Sequence, residues 1–282
     1  MSRPWIEFIF AQKLKWQSGL YGESRGEVYS KILSIDEEAG DASVIIKYPP
    51  GWSQQSKKTI LADEEFYILD GSLEINNQIY NQDSYANLPR GYPREHFCSP
   101  NGCVALTFFS SKPLSSNTDE SFDESYLVEY INTLDMKWDS ATNDPALDWM
   151  GNKRKVLKWD KEFDQQGTFI FSTPPHIYPN NWLCPTLTHP CVEETFIISG
   201  SYIGPYGKMS KGAYFWRPEN IPHGPFGTRE GAFSLIRFKY GRHVNVWGEE
   251  QIKYSFDANY NPILPDHLKQ YGDLEFEDVA SY

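Results

Sequence analysis

Residues 187 to 226 read LTHPCVEETFIISGSYIGPYGKMSKGAYFWRPENIPHGPF. His189 and Glu193 stand four residues apart at the head of an apolar run, and His223 follows just after Pro222. On a strand, successive side chains alternate faces, so Glu193, Thr195 and Ile197 share one face and Glu194, Phe196 and Ile198 the other. With Glu193 turned into a barrel, His189 would approach from the preceding strand or turn and His223 from the hairpin after Pro222. Two imidazoles and one carboxylate suffice to hold a divalent transition metal while leaving positions open for water, substrate or dioxygen. The stretch predicts a β-barrel with a metal site at His189, Glu193 and His223.

Outward from this stretch the chain repeats itself. EEFYILDG at 64–71 matches EETFIISG at 193–200, an offset of 129, which Pro89 and Pro218 share. Nearer the N-terminus, WIEFIFAQKLKW at 5–16 matches LVEYINTLDMKW at 127–138, an offset of 122 from Glu7 to Glu129. Such periodic self-similarity indicates a tandem duplication. Each copy holds short runs rich in β-branched and aromatic residues, such as Ala42–Tyr48, Val104–Phe109, Thr195–Ile198 and Ala232–Lys239, set between Gly, Pro, Asn and Asp. That pattern predicts an all-β chain with a sandwich or barrel in each half. The expected division is a first barrel at 1–114, a polar acidic linker at 115–125, a second barrel at 126–245 and an extension at 246–282. Within the extension, Pro265–Tyr271 could form one short helix, and Leu274–Asp278 reads as a loose acidic tail.

Composition narrows the function classes. Aromatics make up 16% of the chain, so large rings must fill much of the interior. The net charge of −12 would repel a phosphate backbone and argues against nucleic acid. No run approaches the roughly 18 apolar residues of a membrane span, and the N-terminus does not read as a secretion signal, so the expected compartment is the cytoplasm. The four cysteines form two near pairs, Cys98 with Cys103 and Cys184 with Cys191, without zinc-knuckle spacing; reduced, buried thiols are expected. No nucleophile elbow, P-loop or dinucleotide fingerprint occurs.

The residues carry a family resemblance. Both halves resemble cupins, which would make the chain a bicupin of two double-stranded β-helix (jelly-roll) barrels. The resemblance spans nearly the whole chain and points to the branch that includes the sensor domain of ChrR-type anti-sigma factors and, more distantly, diketone-cleaving dioxygenases. Glu193, Gly200 and His189 fit the first cupin motif, and Pro218, Pro222 and His223 fit the second. Leu187 stands where a further His would be, leaving three ligands instead of four. In the first copy Lys58 and Ile60 replace both His, so Glu64 and His96 would form at best a weaker site, with Lys58 pairing Glu64.

The resemblance implies a mononuclear metal enzyme acting on a small oxygenated or dicarbonyl substrate by dioxygenase-like oxidation or cleavage. The expected metal is Fe(II), with Zn, Mn and Ni left open by the ligand types. A zinc-holding sensing module and a metal-dependent isomerase or lyase are the alternatives. Tyr214 and Arg217, on the run into the second motif, are candidates to line the cavity and hold a substrate carboxylate or enolate; Arg237 could do the same. His176 could supply the missing fourth ligand, whereas His243 and His267 read as surface or packing residues. A homodimer through sheet edges is the expected assembly.

Overall fold

The computed structural model describes residues 3–22, 24–54, 56–118, 120–140, 144–179, 181–272 and 281–282. The chain divides into two compact units, one of Met1–Arg3 with Leu14–Met136 and one of Pro4–Lys13 with Lys137–Tyr282. Strands dominate both. Ala42–Tyr48 and Ala232–Lys239 form over the expected residues, while the runs around Glu64 and Glu193 extend into the long strands Glu64–Ile75 and Val192–Gly204.

The main sheets follow the same path. In the first unit it runs from Val128–Asn132 through Ser84–Leu88, Glu64–Ile75, Cys103–Phe109, Ala42–Tyr48 and Tyr29–Ile35 to Gln17–Ser18. In the second it runs from Ile6–Phe10 through Ala213–Arg217, Val192–Gly204, Ala232–Lys239, Gln165–Thr173 and Lys153–Asp160 to Asp139–Ser140. Every neighbouring pair along both paths is antiparallel.

The leading strands are exchanged. Ile6–Phe10, which opens the first copy in sequence, pairs with Ala213–Arg217 of the second unit; its counterpart Val128–Asn132 pairs with Ser84–Leu88 of the first. The division at 114 and 126 had kept each leading strand with its own copy. All five residues of Ile6–Phe10 are buried, and Phe8 and Phe10 join Met209 and Phe215 in the second unit's core. Apolar burial on both faces therefore fixes this segment in that sheet.

The tightest glycine contacts with backbone occupy the same place in the two copies. Gly71 (φ +73°) and Gly200 (φ +71°) bring the backbone so close to the next strand that a Cβ would lie 2.2 Å from the Gly102 carbonyl oxygen and 2.1 Å from that of Gly231. Only glycine combines a positive φ with that approach.

The extension belongs to the second unit. Val246–Lys253 pairs with Leu183–Thr188, the strand that leads into His189. Farther on, Ile263 exchanges backbone hydrogen bonds with Glu7, its N–H donating at 2.7 Å and its carbonyl accepting at 2.8 Å. A short 3-10 helix spans Asp266–Tyr271, where one helix was expected; Leu274–Asp278 lies outside the described residues. Among the described residues, no helix is long and apolar enough to cross a membrane. All four cysteines are buried free thiols.

Candidate metal centre

The structure brings His189, Glu193 and His223 together, with one potential ligand atom from each lying within 4.8 Å of the others. Nε2 of His223 is 3.5 Å and Nε2 of His189 3.9 Å from Oε2 of Glu193. The strand Val192–Gly204 supplies Glu193. An isolated bridge between Leu187 and His223 brings the two histidine segments side by side.

The ring orientations are fixed from behind. Nδ1 of His189 faces the Val244 carbonyl at 3.0 Å, and Nδ1 of His223 faces the Ile221 carbonyl at 2.9 Å. A carbonyl only accepts, so each Nδ1 carries a proton and each ring turns its Nε2, the atom that bears the lone pair in a neutral imidazole, toward Glu193. Burial, with the Arg217 charge adding to it, pushes His223 well below the usual histidine range and keeps that lone pair available. Carbonyl-anchored imidazoles beside a carboxylate are the arrangement a divalent metal requires, so the donor set fits one.

Behind Glu193 lies a buried charge chain. Arg217 donates through Nη1 to Glu193 and grips Glu7 in a fork, Nε to Oε2 at 2.9 Å and Nη2 to Oε1 at 2.5 Å. Arg217 and Glu7 are each 1% exposed. Burial alone would lower the guanidinium pKa, but Glu7 and Glu193 outweigh it and the pKa is raised. Two carboxylates and one guanidinium leave one net negative charge to face a cation. Arg217 is thus taken up by Glu7 and Glu193, where a substrate-binding role was expected. Glu7 was visible only as a marker of the repeat; nothing in its segment indicates that its strand crosses to the other copy.

Tyr214 and Arg237 also lie elsewhere. Glu193 pairs with Arg217 and Thr195 with Phe215, so 215 and 217 share the inward parity and Tyr214 faces away. Its hydroxyl donates to Glu194 at 2.7 Å, and Arg237 donates to the same carboxylate at 2.5 Å. His176 is bound up with the carbonyls of Pro174 and Phe226, at 3.1 and 3.2 Å, and is no fourth ligand. His243, read as a surface or packing residue, packs: it stacks on Phe238 at 3.6 Å between ring centroids, with the His189 ring 4.7 Å away.

His189, Glu193, His223 and His243 line a cavity of about 750 Å³, within the usual range for small-molecule pockets. Phenylalanines 169, 171, 215, 226 and 238 furnish much of its wall. Thr195, two residues beyond Glu193 on the same face, lines it too, and its buried Oγ1 has no hydrogen-bond partner among the described residues. Cys191 is 1% exposed, and burial with Glu193 nearby pushes its thiol up to about 12, which excludes a thiolate nucleophile near neutral pH.

In the first unit the same place is filled by arginine. Glu64 accepts from Arg25 at 2.5 Å and from Arg94 at 2.7 Å, all three fully buried. The bridge Lys58–Arg94 corresponds to Leu187–His223, both members offset by 129, so Arg94 rather than His96 stands in register with His223. Lys58 does not take the expected place beside Glu64. The two guanidinium groups outweigh burial and hold the Glu64 carboxyl below its ordinary pKa. The site expected from Glu64 and His96 is thus not assembled: His96 is surface-exposed and contacts Glu74 and Cys98 instead.

Residues 7–113 match the ChrR Cupin-like domain. No curated protein matches the sequence. Among solved structures, a candidate dioxygenase from Nostoc punctiforme superposes with a TM-score of 0.71 at 14% identity, covering 89% of this chain and 87% of that one. The E162A variant of oxalate decarboxylase from Bacillus subtilis gives 0.51 at 11% identity, over 86% and 79%. A further structure of that decarboxylase, from work on its Mn(II) centres, also gives 0.51 at 11% identity, over 86% and 79%.

Proposed function

We propose, from the premise that this chain is a bicupin with a ChrR-like first copy, that its second barrel is a mononuclear Fe(II) enzyme oxidising or cleaving a small dicarbonyl-like substrate. The observation carrying this reading is that two carbonyl-anchored imidazoles and Glu193 converge on one wall of a largely aromatic cavity. Two histidines and one carboxylate with open positions are the ligand set of non-haem iron oxygenases. Bound there, the metal would act as Lewis acid and template and activate dioxygen.

The protein's own residues bind and orient. The phenylalanine wall would take up an aryl or alkyl substituent and exclude water. Thr195 Oγ1, buried and without a hydrogen-bond partner among the described residues, would donate to a substrate oxygen. Arg217 and Glu7 would keep the Glu193 carboxylate from turning as substrate enters. A cavity of this size above the donors favours catalysis over a closed sensing site.

The test is anaerobic Fe(II) reconstitution followed by oxygen-uptake measurements on a panel of β-diketones and hydroxyaryl ketones, with Glu193→Gln as control. Uptake is expected from the reconstituted protein and not from the variant. Absence of uptake across the panel, or uptake that survives Glu193→Gln, overturns the proposal.

A further inference from the structure

We infer that Glu74, His96 and Cys98 form a second divalent-metal site, on the surface of the first unit and suited to zinc. Cys98 and Glu74 are cross-strand partners in the ladder between Phe97–Ser99 and Glu64–Ile75. His96 precedes Cys98 by two residues. The three donors lie close together: Sγ to His96 Nε2 is 3.3 Å, Nε2 to Glu74 Oε1 is 3.5 Å, and Sγ to Glu74 Oε2 is 3.9 Å. Tetrahedral ligands at zinc bond lengths stand roughly 3.4–3.6 Å apart. The two Glu74 contacts use different oxygens, and one ligand atom from each residue lies within 4.8 Å of the others, so closing to those spacings takes a turn of the Glu74 carboxylate.

The backbone that carries these donors is held in advance. Asn76, at φ +50° in the turn after Glu64–Ile75, accepts through Oδ1 from the N–H groups of Glu95 (2.8 Å) and His96 (3.4 Å). Its Nδ2 donates to the Pro93 carbonyl at 2.7 Å, and its own N–H donates to the His96 carbonyl at 2.8 Å. A single side chain thus clamps both approaches to the site. The His96 side chain is 54% exposed, which leaves an open side for entry and a fourth position for water or a donor from another protein. Thiolate with imidazole selects zinc over magnesium or calcium. A metal bound there would displace the thiol proton of Cys98.

This site is independent of the proposed reaction, and cobalt separates the two. In the full-length chain, Co²⁺ bound at Cys98 should show a near-ultraviolet thiolate-to-cobalt charge-transfer band, which the nitrogen and oxygen donors of the second barrel cannot produce. Zinc should displace the band. Cys98→Ser should abolish it and His96→Ala should raise at least tenfold the zinc concentration needed to displace it, while Glu193→Gln and Cys191→Ser leave the band's intensity within twofold. If Cys98→Ser does not fold, His96→Ala decides, because that ring is more than half exposed. No band, or a band unmoved by either substitution, overturns the inference.

Discussion

Glu7→Gln removes one charge and almost no volume from the chain of groups behind Glu193. Arg217 is then left fully buried with Glu193 as its remaining carboxylate partner. Taking one partner from a buried ion pair costs about 3–5 kcal/mol, mostly from the charge left uncompensated. Arg217 retains Glu193 and the glutamine carbonyl still accepts one hydrogen bond, so the lower end, about 3 kcal/mol, is expected. For a unit of this size that lowers Tm by about 6–12 °C. Arg217 would also draw harder on Glu193, and loss of such support for a ligand typically weakens metal binding about 10–100-fold. Thermal unfolding of the metal-free protein and a competitive metal titration measure the two effects separately. Lys208→Gln, at an exposed pair with Glu230, serves as control and should stay within about 0.5 kcal/mol. A Glu7→Gln protein that melts within about 2 °C of the parent and binds metal equally well would refute the reasoning.

Acid should weaken the metal-free protein through its buried histidines. His223 lies well below its ordinary pKa and His243 is lowered to about 3, in both cases by burial first. The unfolded chain therefore binds more protons than the folded one below about pH 6.5, and stability falls as pH drops from there, at up to about 1.4 kcal/mol per pH unit per group. Urea midpoints at stepped pH check this, and a flat profile between pH 6.5 and 5 would contradict it. Glu64→Gln leaves Arg25 and Arg94 buried without their counter-charge, so a loss of at least about 3 kcal/mol is expected in chemical denaturation. Metal stoichiometry at the second barrel should not change with it. Gly200→Ala and Gly71→Ala should each cost at least about 2 kcal/mol, from positive φ and backbone collision together. Either alanine variant matching the parent's denaturation midpoint would show that the close approach relaxes without cost.

The duplication, the strands and the three convergent donors were legible because each is written in local pattern or spacing. The alternation around Glu193 gave its inward face, and the fixed offset of 129 carried the register from one copy to the other. Two kinds of feature were not legible. Tyr214 and Arg217 lie three residues apart and hence on opposite faces, but choosing the inward one needed the cross-strand register with Glu193, which only pairing supplies. Arg94 shows the second kind. His96 matched the motif by residue type, yet counting 129 back from His223 lands on Arg94, and chemistry misled where register would have served. Glu7 and His243 reach the site through long-range packing, one by an exchanged strand and one by the turn preceding the extension, and neither segment signals its destination.

Duplicated genes ordinarily yield modules that recombination can delete or shuffle. Here each copy lends its leading strand to its twin, so a fragment starting after the acidic linker would encode a second barrel lacking both an edge strand and the carboxylate that steadies Arg217. Gene fission at that linker would wound both products. The first barrel, with Glu64 locked between two buried arginines, therefore cannot be shed without harm to its partner.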